Sequence, residues 1–249
     1  MGLFDLFSKK NSESQRVSAR DLQRFERLVG NKLSQNLDRQ DAIDQLCKIN
    51  TAESAAVLLK RFDWQLDPSI TDQEEKENCL AGIVAAGDVA LVPIRAYCKK
   101  AESLMWPLKA IKQIVPNEAL SEELLGLLDQ FDTEYVRNTQ PKVQLITELG
   151  EHRSEDVRVA LEAFLQDASE PVRFATVTSL FAIGDAASLP ALTAMLESEE
   201  SLRIKNRLAQ GIANAGWEIS AALAGALAKG LPPGYRIEGN RVRGELPAH

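Results

Sequence analysis

Histidine is scarce in this sequence: His152 and His249 are the two present, and neither has the spacing of a metal-binding pair. Cysteine is nearly as scarce. Cys47, Cys79 and Cys98 form no CxxC pair, and they predict buried, unreactive thiols in a reducing cytoplasm. The chain has no phosphate loop, no GxGxxG and no nucleophile–base arrangement, so nothing in its residue pattern demands an enzyme, a metal or a cofactor. The opening residues lack the long apolar run of a signal peptide, and no apolar run approaches the roughly 20 residues of a membrane span.

What is present is material for a core. The 249 residues are 45% hydrophobic and 26% charged, the composition of a folded protein. A formal net charge of -7 disfavours nucleic acid as a partner, because phosphate contacts need concentrated Lys and Arg. The charge is uneven. From Ser201 onward seven basic residues face three acidic ones, a net +4 that leaves -11 for the first 200 residues.

The stretch "SEPVRFATVTSLFAIGDAASLPALTAML", Ser169 to Leu196, carries helical periodicity on both sides of a glycine turn. Val172, Ala175, Leu180 and Ile183 share one helix side, and Leu189, Leu192, Met195 and Leu196 share another. Ser169 is the expected cap, Pro171 fits the first turn, and Gly184 ends the helix by accepting positive φ. One helical hairpin results, and it is repeated. "IVAAGDVALVPIR" at Ile83 matches "LFAIGDAASLPAL" at Leu180 without a gap, pairing Gly87, Asp88 and Pro93 with Gly184, Asp185 and Pro190. "LCKINTAESAAVL" at Leu46 repeats the outline with Asn50 at the turn. Gly150, Gly184 and Gly216 follow at intervals of 34 and 32 residues.

"EPVRFATVTSLFAIGDAASLPAL", the weaker "ESLRIKNRLAQGIANAG" and the turn "AAGDVALVP" resemble the HEAT-repeat family, in particular the short bacterial variety named after phycobilisome lyases. The resemblance extends over about Asn36 to Gly230, and "RFDWQLDPSITDQEEKEN" and "AESLMWPLKAI" are also similar to linking stretches of bacterial HEAT-repeat proteins. It implies an all-α solenoid of about six helical hairpins, at 36–62, 77–100, 103–130, 139–167, 170–197 and 201–229. It also implies an acid–arginine ladder between units, for which Asp167 with Arg173 and Glu197 with Arg203 keep a six-residue separation. His152 stands where the acid before Arg158 belongs, which leaves Arg158 available to a partner.

The expected organisation is an amphipathic segment and polar linker over 1–17, a solenoid over 18–230 opening on a helix capped by Ser18, and a tail over 231–249. In that tail "LPPGYRIEGNRVRG" alternates Tyr235, Ile237 and Val242 around Gly239 and Asn240, the pattern of a small β-hairpin packed on the last helices.

Candidate partner-binding residues fall in three places. The segment Asp63 to Asn78 reads as a long acidic loop that sets Trp64 beside Asp67, Asp72, Glu74 and Glu75, against the alternative that Trp64 packs down on a helix. Arg158 is the second. Arg203 and Arg207 are the third, sharing a helix face in "RIKNR" while Lys205 points away, and they suit an acidic partner. Trp106 and Trp217 lie at helical positions as core residues.

The opening "MGLFDLFSKK" places Leu3, Phe4, Leu6 and Phe7 within one helical arc, with Lys9 opposite and Lys10 near its edge. This face suits either docking on protein or peripheral contact with an anionic membrane. The myristoylation pattern is not met, because Leu6 stands where Ser or Thr is required.

Stacked hairpins without a catalytic constellation predict a protein–protein interaction scaffold or adaptor, with a protein partner and a cytoplasmic location that includes peripheral membrane contact if the N-terminal face is used. The alternative implied by the resemblance is a HEAT-like enzyme, a chromophore lyase or a DNA-alkylation glycosylase-like protein. That alternative rests on fold analogy.

Overall fold

A computed structural model describes residues 18–244, so the expectations for Leu3, Phe4, Leu6, Phe7, Lys9 and Lys10 and for His249 lie outside the described residues. The fold is an all-α solenoid followed by a two-stranded hairpin. The chain divides between Leu120 and Ser121 into two compact units.

The first unit opens with α1 (Ala19–Val29). Ser18 caps it as expected, accepting from the Asp21 amide and donating to the Asp21 carboxylate. The hairpins follow: α2 (Asn36–Cys47) with α3 (Ala52–Leu59), α4 (Ser69–Ala86) with α5 (Leu91–Cys98), and α6 (Met105–Ile114) with α7 (Asn117–Leu128), which spans the division between the units. The leading helices α2, α4 and α6 pack in succession, and α3 packs on α5. Their shared core contains Leu46, Leu58, Cys79, Ile83, Ala90, Ile94, Leu104 and Ile111, all without solvent exposure. Each turn has a local cause. Thr51 and Ser54 form a reciprocal capping box at α3, and Asn50 stands in for glycine at a positive φ of 53°.

Two expectations change here. The acidic loop 63–78 is mostly helix: α4 begins at Ser69, eight residues before the expected start at 77, because Glu75 and Lys76 are buried and Asp72 partly so, rather than solvated. The absence of a span-like segment is also corrected. Ser69–Cys98 contains a window of mean hydropathy 1.7, long and apolar enough to cross a membrane by length and composition, since Asp88 and Arg95 interrupt it without making it polar. Gly87, at φ 65°, ends α4 within that stretch, and Ile83, Ala90 and Ile94 on either side enter the core of the unit.

In the second unit α8 (Gln140–Leu149) pairs with α9 (Glu155–Glu162), α10 (Glu170–Ile183) with α11 (Leu189–Ser198), and α12 (Leu202–Ala215) with α13 (Ala221–Gly230). Helices α8, α10 and α12 stack in order, and α11 packs on α13. Proline stands in the first turn of α8, α10 and α11, where no amide hydrogen is needed. Gly184 and Gly216 close α10 and α12 in the left-handed conformation. Gly150 does not: its φ is -59°, and its role is close packing. A Cβ there would lie 2.7 Å from both Cβ and Oγ of Ser179, whose hydroxyl donates to the Ile146 carbonyl at 2.9 Å and knits α8 to α10.

Ser169 begins α10 without a side-chain cap, contrary to expectation. The Asp167 carboxylate takes the Ser169 amide instead, at 2.8 Å, and the Ser169 hydroxyl is buried without a partner. Past α13, β1 (Tyr235–Glu238) and β2 (Arg241–Gly244) pair antiparallel across Gly239 and Asn240. The hairpin packs on α12 and α13, with Val242 buried and the Ile219 amide donating to the Asn240 carbonyl at 2.7 Å.

Candidate functional site

In the first unit two of the four acidic candidates, Asp72 and Glu75, converge on a buried ionic cluster. Glu75, 1% exposed, accepts from Arg39 Nε at 2.9 Å, Arg39 Nη2 at 2.8 Å and Arg61 Nε at 2.6 Å. Asp72 accepts from Arg61 Nη2 and the Leu66 amide, each at 2.8 Å, and from Lys76 at 2.7 Å. Burial raises the Asp72 carboxyl, but the hydrogen bonds from Lys76, Arg61 and the Leu66 amide outweigh it and hold the group below the usual carboxylate range. Trp64 is half-buried against the same arginines, with the Arg61 guanidinium 3.7 Å and that of Arg39 5.2 Å from its ring centre.

Glu75 and Asp72 are therefore not free to meet a partner, which corrects their assignment. Asp67 and Glu74 are exposed. The partners that neutralise this cluster, Arg39 and Arg61, were not singled out, although Arg39 and Glu75 lie on the same side of adjacent first helices.

Elsewhere in this unit, exposed apolar side chains recur at matched places. Leu37 is the second residue of α2, Ile70 the second of α4 and Met105 the first of α6, exposed by 74%, 71% and 47%. Leu33 precedes the first of them and is exposed as well. Burial raises the Cys79 thiol well above its ordinary value, and also raises that of Cys47.

The second unit carries the ladder, with altered partners. Lys142 reaches Asp167 at 2.9 Å and Arg173 reaches Glu199 at 2.8 Å, so each first helix grips the acid that precedes the next repeat. Arg173 meets Asp167 through its main-chain carbonyl alone. Arg203 pairs with Glu170 at 3.2 Å, not with Glu197. The six-residue rule picked the right cations but the wrong carboxylates, because each cation reaches across to a neighbouring repeat or bonds the near acid's backbone. Burial raises Glu199, and the Arg173 hydrogen bond together with the Ser201 and Glu200 amides brings it below the usual range.

Arg158 is the clearest correction. It is 8% exposed and pairs with Glu162 at 2.7 Å, Asp185 at 3.0 Å and Glu155 at 3.6 Å. The hydrogen bond to Glu162 leads the causes that raise its pKa. Asp185, the aspartate of the recurring Gly-Asp turn, supplies the carboxylate that the His152 position does not.

Arg203 and Arg207 do share a face of α12, and that face is built against α10. The Arg203 guanidinium lies 3.7 Å from the Phe174 ring centre, and that of Arg207 5.3 Å from Phe181. Phe181 lies over Gly211, where a Cβ would be 2.2 Å from the ring, and stacks on Trp217 at 5.7 Å. Trp217 follows the end of α12 and is half-buried, whereas Trp106 is core at 4% exposure, stacked on Phe62. Phe174, Thr178 and Phe181 were missed. The signal was their four- and three-residue steps, which run beside Arg203, Arg207 and Gly211 one repeat later.

Among the described residues no group of three or more His, Cys, Asp or Glu side chains is placed to hold a metal ion. Residues 126–213, less than half of the chain, match the family profile described as HEAT repeats. That match runs from the end of α7 to near the end of α12 and supports a HEAT-repeat protein. No curated protein matches the chain.

Proposed function

We propose that this protein is a protein-binding scaffold or adaptor built on HEAT repeats, working in the cytoplasm. The observation that carries the reading is the recurrence of exposed Leu37, Ile70 and Met105 at the first turns of successive stacked helices. A soluble surface rarely spaces large apolar side chains one per repeat unless something covers them, and a solenoid presents such rows to an extended partner. HEAT repeats commonly mediate protein–protein interaction, which agrees with it.

The test is affinity capture with the intact protein and with a Leu37→Asp/Ile70→Asp double variant. Both sites are exposed, so the variant's helical circular dichroism and Tm should match the parent's. A partner kept by the parent and lost by the variant is the expected result; recovery by both removes this row as the binding surface, and recovery by neither overturns the reading. Peripheral membrane contact through residues 1–10 is a separable part of the proposal. Liposome co-sedimentation with and without those residues decides it, equal pelleting of the two forms counting against it.

A further inference from the structure

The face formed by α10 and α12 contains a cation with no counter-charge. Arg207 is half-buried, its Nε bonded to the Thr178 hydroxyl at 3.4 Å, and among the described residues no carboxylate lies in ion-pair range of it. Every other arginine that the ladder and the buried cluster use, Arg39, Arg61, Arg158, Arg173 and Arg203, has a carboxylate. Burial without compensation lowers the Arg207 pKa, the reverse of Arg158 and Arg173. A guanidinium held against an aromatic ring with its paired terminal N–H groups unused is suited to a planar carboxylate.

We propose that this face binds an acidic, amphipathic helical segment of a protein partner, whose carboxylates pair with the uncompensated Arg207 and, alongside Glu170, with the exposed Arg203, and whose apolar side chains rest on Phe174, Phe181 and Trp217. Three features select a peptide over a small anion. Arg203 and Arg207 are four residues apart, about 6 Å along the helix, which matches carboxylates at i and i+4 of a second helix. Phe174 and Phe181 flank them over two turns, about 10 Å, farther than a single acid group extends. The rings are half-buried side chains on an open helix face, not the walls of a pocket, so an occupant must bring its own apolar side to exclude water.

The proposal rests on the partner-binding reading but uses a different surface from the Leu37–Ile70–Met105 row, so the two fail independently. The probes are two fluorescein-labelled 16-residue peptides with identical leucines at i, i+3 and i+7. One carries glutamates at i, i+4 spacing and the other lysines at the same places. Binding is read by anisotropy in about 50 mM and about 300 mM NaCl.

The glutamate peptide is expected to bind at least tenfold more tightly than the lysine peptide and to weaken in salt. Arg207→Gln should reduce its affinity about tenfold, Arg207→Lys should restore part of it, and Arg207→Gln should leave Tm unchanged or raised, because the arginine is uncompensated in the free protein. Equal affinity for the two peptides, no binding of either, no effect of Arg207→Gln, or a Tm lowered by that variant overturns the proposal. Binding of phosphatidylserine vesicles through Arg207 in place of the glutamate peptide also overturns it, in favour of a lipid surface.

Discussion

Glu75 shows what a single side chain can decide here. It holds Arg39 and Arg61 in the interior through a full set of hydrogen bonds, so Glu75→Gln removes a charge, leaves Arg39 without a carboxylate and leaves Arg61 with Asp72 alone. Breaking one member of a buried ion pair costs about 3–5 kcal/mol, and urea unfolding of that variant should show a loss of this size. Asp72 and Glu199 add a pH dependence whose sign follows from their lowered pKa values. Their stabilisation is complete above the ordinary carboxylate range and is lost as pH falls through the lowered values in the native state. Tm should be flat from neutrality to about pH 5 and fall below about pH 4, and Asp72→Asn should flatten that decline. These roles were hard to read in the sequence. Asp72 and Glu75 stand among five acids in twelve residues, and only packing distinguishes the two that turn inward from the rest.

At the scale of an element, glycines at similar places in the repeats answer to different physics. Gly184 closes α10 at φ 76°, and a Cβ there would make only an ordinary contact, 3.9 Å from the Phe181 carbonyl, so Gly184→Ala should cost about 1–2 kcal/mol from backbone strain alone. Gly150 has ordinary helical φ and no room, so Gly150→Ala should cost about 1–3 kcal/mol through displacement of Ser179, and the double variant Gly150→Ala/Ser179→Gly should not recover it, because the Ser179 α-carbon is itself 2.9 Å from the new Cβ and the hydroxyl bond to Ile146 is lost. Thermal unfolding of the three variants checks both. The helical hairpins, their turns at Asn50, Gly87, Gly184 and Gly216, and the terminal β-hairpin were legible, because periodicity and turn chemistry are local. The early start of α4 was not, since a helix whose charged face is buried by partners from other helices looks like a solvated loop. The pairing of Phe181 with Gly211 was equally hidden, because it joins residues on different repeats.

The whole molecule is a sum of such neighbour contacts, with consequences for how damage spreads. In a repeat array stability is approximately additive over units and their interfaces. Glu75→Gln should therefore lower amide-exchange protection in α2, α3 and α4 and leave α10 and α12 unchanged, while Gly150→Ala should do the reverse; exchange measured by mass spectrometry separates the two. Uniform loss of protection in either variant would show that the chain unfolds as one block. The same additivity bears on the β-hairpin that rests on α12 and α13. A solenoid propagates by laying each hairpin of helices on the last. By seating Val242 there and showing solvent Arg236, Arg241 and Arg243, the hairpin takes the place of that addition with charged strand edges. The apolar side of α12 and α13 is thus partly covered by strand, where a further pair of helices would otherwise have to lie.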